Sequence, residues 1–354
     1  MSIINESEET WDFGKPRTWK DAKAHLKKTH RGFLNLVNDQ IENLSPSNED
    51  RLRFRALYGN LPMDGPMRMS DMVAHFKLAF FIAKEVRDLR KVNDELNFYH
   101  LTLLADEGNM SDRKPCFAHR LLARKADKAM RKVGLDGFRV VEVQPLINWP
   151  QGGEGRTLLG HVHILGWKHR DELINSAAEI RSELGYDKRR RNIAWSSKFG
   201  ADPIVVKQIT EKQGCPSYWA AYLLKYPHDA KNLCPVNSET SGIYPAPKAR
   251  FKNTKAGYRP ELAMRMFELF GQMPLSSLVS GVGAGAAILS RCRNRLKLWD
   301  EERRSKWKDQ GIEPVPAFDE VKFWKRTHKR RRRDYRPFFI DGPTVAERAT
   351  KRRL

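Results

Sequence analysis

Apolar residues recur at helical spacing among charged ones from Trp19 to Leu44 and again from Met69 to Val92, the second run opening at Ser70 as an N-cap. Between them Gly59 to Met69, carrying Pro62, Gly65 and Pro66, reads as a connector. At Leu96 the period shortens to two. Phe98 to Leu104 is predicted as a strand by its aromatic and β-favouring content, followed by a loop from Ala105 to Pro115 and a basic helix from about Phe117 to Lys132 that Gly134 ends. Phe138 to Ile147 reads as a strand that runs into the glycine-rich hairpin loop Trp149 to Gly155 and returns as Thr157 to Trp167. Asp171 is expected to cap a helix reaching Leu184, the basic segment Lys188 to Arg191 follows, and Pro203 to Ile209 is a fourth strand. Pro216 and Ser217 then open a short helix that closes before Pro227. The order β-α-β-β-α-β predicts an α+β fold: a ferredoxin-like antiparallel sheet with helices on one face and the other face left for a site, flanked by helical N- and C-terminal regions.

After Pro227 the pattern loosens. Pro235, Pro245, Pro247 and Pro260 separate polar pieces, and helical spacing returns at Glu261 to Phe270 and at Ile288 to Asp309. The intervening Gly281-Val282-Gly283-Ala284-Gly285 reads as a flexible linker or a frayed helix start, since no β-rich run precedes it and no Gly-Lys-Ser/Thr follows. From Lys325 to Arg333 the chain is densely basic, which predicts a solvated tail or a phosphate-binding arm.

Charge narrows the class of partner. The 354 residues hold 65 Lys+Arg against 43 Asp+Glu, net +22 with a pI near 9.9, a field that favours a polyanion, nucleic acid first and an anionic membrane second. No run approaches the roughly 18 apolar residues that a membrane span needs, and the acidic, polar start Met1 to Thr10 is unlike a signal peptide, so a cytoplasmic protein is expected. Cys116, Cys215, Cys234 and Cys292 form no Cys-x-x-Cys pair and read as idle thiols of a reducing compartment, a zinc site from Cys215, His228 and Cys234 being the alternative. His25 and His30, five residues apart in a lysine-rich helix, are expected to be exposed polar residues.

Two short pieces carry the candidate chemistry. In Gly160-His161-Val162-His163-Ile164-Leu165 the two histidines are two residues apart in an apolar strand, so both imidazoles point to one face and suit a metal ion. On the neighbouring strand Val140, Glu142 and Gln144 share a face. A hairpin turning near Gly152-Gly153 places Glu142 opposite roughly His163 and Gln144 opposite roughly His161, which makes Glu142 a third ligand in a site for Mg²⁺ or Mn²⁺, its pairing with a neighbouring arginine or lysine being the alternative. In Tyr218-Trp219-Ala220-Ala221-Tyr222-Leu223-Leu224-Lys225, helical geometry brings Tyr218, Tyr222 and Lys225 to one face, which reads as a nucleophile face.

Phe98 to Leu104, His161-Val162-His163 and Tyr222-Leu223-Leu224-Lys225 resemble, in kind and order, the three motifs of the HUH endonucleases, specifically the rolling-circle replication initiators. Tyr218 four residues before Tyr222 is similar to the two-tyrosine bacteriophage and plasmid subgroup. The resemblance covers roughly Leu96 to Pro227. It implies an endonuclease domain at 96–230 between a helical region 1–95 and a helical basic region 231–354 with a disordered tail. It implies His161 and His163 as ligands of a divalent cation, Tyr222 as nucleophile, Tyr218 as possible second nucleophile and Lys225 as a phosphate or transition-state contact. The implied reaction is a nick in single-stranded or supercoiled origin DNA that leaves a 5′-phosphotyrosine and a free 3′-hydroxyl primer, inside a bacterial host whose helicase and polymerase continue replication. A transposase or relaxase with the same site is a second reading, and a non-catalytic nucleic-acid-binding protein with Tyr99 stacking on bases is a third.

Overall fold

The computed structural model describes residues 17–113, 116–150, 156–185, 195–210, 212, 214–226, 230–236, 248–253, 259–328 and 335–341. The hairpin tip at Gly152-Gly153, the basic segment 188–191, His228 and residues 329–333 of the basic run lie outside them.

The first helices form as their apolar stripes require. Helix α1 (Trp19–Leu44) starts at a capping box in which Thr18 and Asp21 satisfy each other's backbone amides, and it buries Ala22, Leu26, Phe33, Val37 and Ile41 along one face. A short α2 (Asn48–Leu57), capped by Ser47, follows ahead of the Gly59 to Met69 connector and adds to the helical N-terminal region. Helix α3 (Met72–Val92) is capped by Asp71, whose carboxylate accepts from the Ala74 amide, one residue beyond the expected Ser70. The Ser70 hydroxyl instead donates to the Leu57 carbonyl.

Strand β1 (Leu96–Ser111) continues into the expected loop as far as Ser111, because an irregularity between Leu104 and Asn109 re-pairs its second half with the hairpin strand. At that irregularity Gly108 and Gly160 pack backbone to backbone: a Cβ on either would lie 2.2–2.4 Å from the other's carbonyl oxygen. The short β2 (Cys116–Phe117) leads into α4 (His119–Lys132), which Gly134 closes with positive φ. Strands β3 (Asp136–Pro150) and β4 (Arg156–His169) form the expected hairpin. Helix α5 (Ala177–Gly185) begins later than expected, since Ser176 and Glu179, not Asp171, make its capping contacts. Then follow β5 (Ile204–Ile209) and α6 (Pro216–Leu223), with Pro216 in the first turn.

The sheet order is β5-β1-β4-β3-β6-β7. Its first four strands are mutually antiparallel, whereas β6 (Lys231–Pro235) joins β3 in parallel and pairs with β7 (Ala249–Asn253), so the supposedly irregular stretch after Pro227 extends the sheet and makes it mixed. After α7 (Pro260–Gln272) the chain forms β8 (Val279–Val282), antiparallel to β3, and α8 (Ala284–Asp309). The glycine run is therefore a strand and a helix start rather than a linker. Gly285 is needed for contact, since its Cβ would meet the Gly137 carbonyl oxygen at 2.0 Å.

The basic C-terminal region departs most from expectation. Lys325 and Arg326 end α9 (Glu320–Thr327), whose Phe323 and Trp324 are buried. Beyond the undescribed residues the chain returns: Phe338 is buried, Tyr335 donates to buried Glu268 at 2.7 Å, and β9 (Phe339–Ile340) pairs with β2. Up to residue 341 the described part of the tail is thus folded onto the core. One apolar cluster runs from Ala22 of α1 to Phe338. Among the described residues no helix is long and apolar enough to cross a membrane.

Candidate metal and tyrosine site

The β3–β4 register decides the site. Glu142 lies directly opposite His161, Val140 opposite His163 and Gln144 opposite Leu159, two residues from the expected pairing. The cause is an irregularity in β3 between Leu146 and Pro150, which takes up extra residues before the pairing resumes at Pro150 and Arg156. An even shift keeps the face, so Glu142, His161 and His163 still converge. His163 Nε2 is 3.0 Å and His161 Nε2 3.6 Å from a Glu142 carboxylate oxygen, and the two Nε2 atoms are 3.1 Å apart. All three residues are buried, and their ligand atoms fall within 4.8 Å of one another.

The far nitrogens are also held. His163 Nδ1 is 3.0 Å from Thr102 Oγ1 and His161 Nδ1 is 3.2 Å from the Leu159 carbonyl oxygen, contacts that aim both Nε2 atoms inward as metal-binding histidines require. Two imidazole nitrogens and a carboxylate with fixed orientation fit a divalent cation.

Helix α6 lies over this face. Lys225, just past its end, is buried, with its ammonium 3.2 Å from both Glu142 oxygens and 4.2 Å from the centre of the Tyr222 ring. The lysine pairing weighed as the alternative for Glu142 is thus present alongside the two histidines, with Lys225 as the partner. Burial alone would raise the Glu142 pKa, but Lys225 and hydrogen bonds from both histidines hold it well below the usual carboxylate range. His163 is pushed down to about 4 by burial, against the pull of Glu142.

The tyrosines differ. Tyr222 is half-buried, ringed by His25 stacked at 5.7 Å, Trp219 at 5.5 Å, His100 at 5.9 Å and His163 at 6.2 Å. Tyr218 is buried and also touches His25, at 5.8 Å, and burial raises its hydroxyl pKa. No family model, curated protein or solved structure matches this chain. The site therefore stands on its own geometry.

Several members were not foreseen. His100, on β1, is buried between the rings of His163 and Trp219, and Lys207 of β5 pairs opposite it in register. The signal was present in the Phe98 to Leu104 strand, where His100 and Thr102 alternate onto the face that β4 brings to the sheet. His25 and His30 are not exposed: His25 lies against both tyrosines, and His30 is buried against His75 and Tyr226. Long-range packing of α1 against α3, α6 and the residues just after α6 places them there, so spacing within α1 could not reveal it. Tyr99 is fully buried with its hydroxyl on Asn175, which removes it as a base-stacking platform. Among the described residues Glu142, His161 and His163 are the group able to hold a metal; Cys215 and Cys234 are free thiols.

Proposed function

We propose that this chain is a metal-dependent DNA-nicking and strand-transferring enzyme, a replication initiator of the HUH type. The observation that carries the reading is the convergence of Glu142, His161 and His163 with Tyr222 and Lys225 on one face of the sheet. The chain order β1-α4-β3-β4-α5-β5 with sheet order β5-β1-β4-β3 supports the ferredoxin-like core that such enzymes use.

A divalent cation, Mg²⁺ or Mn²⁺, would be held by His161 Nε2, His163 Nε2 and the Glu142 carboxylate, and supplies charge withdrawal from a phosphate when bound. The Tyr222 hydroxyl loses its proton and its oxygen forms a bond to phosphorus. The bond from phosphorus to the 3′-oxygen breaks, and that oxygen takes up a proton to become a free 3′-hydroxyl. Lys225 favours the phenolate because its ammonium lies over the ring. Tyr222 attacks first because it is half-buried while Tyr218 is enclosed with a raised pKa; Tyr218 is the second nucleophile for later strand transfer. The partners are single-stranded or supercoiled origin DNA and the host helicase and polymerase that use the new primer. A transposase or relaxase would share this chemistry on another substrate.

Incubating the protein with a single-stranded copy of its origin should yield a protein–DNA adduct that survives denaturation, forms with Mg²⁺ or Mn²⁺ and is absent in excess chelator. Equal yield in chelator removes the metal from the mechanism.

A further inference from the structure

Among the described residues several arginines are neutralised internally. Arg291 and Arg295 share Glu85, Arg303 pairs with Asp71 and Asp300, Arg304 with Asp300, and Arg326 with Asp50. The outer face of α1 is different. Lys20, Lys27, Lys28 and Arg31 are all exposed, and among the described residues none of them has an ion-pair partner. At 100° per residue Lys20, Lys27 and Arg31 fall within about 40° of one another, and Lys28 falls about 60° from His25 on the helix edge that meets the tyrosines. Thus a row of cations with no ion-pair partner among the described residues lies on the helix whose inner edge stacks on Tyr222.

We infer that the outer face of α1 is the docking surface for the phosphate backbone of the single strand that enters the tyrosine site. The inference rests on the proposed nicking function, and it assigns the strand's approach to a helix outside the segment that resembles the endonucleases. Charge alone does not select α1. Arg124, Lys128 and Arg131 form a similar exposed stripe on α4, at spacings of four and three residues. That helix packs on the opposite face of the sheet: Asp127 of α4 pairs with Arg139, and Arg139 alternates with Glu142 on β3. A strand lying along α4 is separated from Tyr222 by the sheet. One along α1 passes Lys28 and His25 to reach it.

The two stripes make a controlled experiment. In the full chain carrying Tyr222→Phe, binding of a fluorescein-labelled single-stranded oligonucleotide is measured against salt concentration. Each phosphate contact on a single strand contributes about 0.7 to the slope of log K against log salt. Lys20→Gln/Lys27→Gln/Arg31→Gln should lower the slope by about 2, whereas Arg124→Gln/Lys128→Gln/Arg131→Gln should leave it unchanged, both variants keeping the parent's circular dichroism. An unchanged slope in the α1 triple variant, or an equal loss in the α4 one, overturns the inference. Adduct formation by the unsubstituted chain is scored separately. Failure to form an adduct while the slopes still differ defeats the nicking function and leaves α1 as a strand-binding face; adduct formation with indifferent slopes defeats only the inference.

Discussion

A carboxylate as buried as that of Glu142 costs several kcal/mol to desolvate unless cations and donors surround it. It meets Lys225 at 3.2 Å and His163 at 3.0 Å. Removing its charge strands the equally buried ammonium of Lys225. Glu142→Gln is therefore expected to destabilise the fold by about 3 kcal/mol, and Glu142→Gln/Lys225→Met to recover most of that loss. Urea melts of the three proteins measure it; a single variant as stable as the parent contradicts the pairing. Because the folded pKa of Glu142 is depressed, its contribution is complete above the ordinary value of 4.5 and is lost as pH falls through the folded value. The gap between parent and Glu142→Gln should accordingly hold at pH 7 and shrink in strong acid. At this scale the metal group was legible in the sequence, because alternation along a strand is a local property that fixes the shared face of His161 and His163. The partner of Lys225 and the approach of His25 and His100 were not, since they depend on which elements pack together.

Elements are legible in the sequence where the hydrophobic period is strong and are not where strand pairing decides the outcome. The hairpin strands and the tyrosine helix follow from alternation, helical spacing and Pro216. By contrast, β6, β7 and β8 lack any strong pattern of their own and exist because β3 offers them an edge. The same dependence misplaced the register by two residues, since an irregularity between Leu146 and Pro150 leaves no clear mark in composition. The glycine run shows the point experimentally. In an isolated helix Gly→Ala gains about 1 kcal/mol, but at Gly285 the new methyl would lie 2.0 Å from the Gly137 carbonyl oxygen, where only backbone can yield. Gly285→Ala should lower the melting temperature, whereas Gly311→Ala, with open space around it but a positive φ, tests strain without a clash. A Gly285→Ala protein that melts at or above the parent temperature would refute the close approach of α8 to β3.

At the scale of the whole molecule, helices α1 and α3 and the returning C-terminal segment share one core with the sheet. The face expected to stand open is roofed by α6, with α1 and α3 packed upon that helix. The candidate metal group is buried while Tyr222 is half-buried, so under the proposed function a phosphate would reach the site from the tyrosine side. The net charge of +22 favours a polyanionic partner without saying where one would dock, since among the described residues arginines such as Arg291, Arg303 and Arg326 are held in internal ion pairs. Under the proposed function Tyr222 is the nucleophile, and peptide mapping of the DNA adduct expected with Mg²⁺ or Mn²⁺ tests this. A nucleotide is expected on Tyr222, and no first adduct from Tyr222→Phe under the same conditions. A nucleotide found on Tyr218 alone, or an undiminished adduct in Tyr222→Phe, would contradict it.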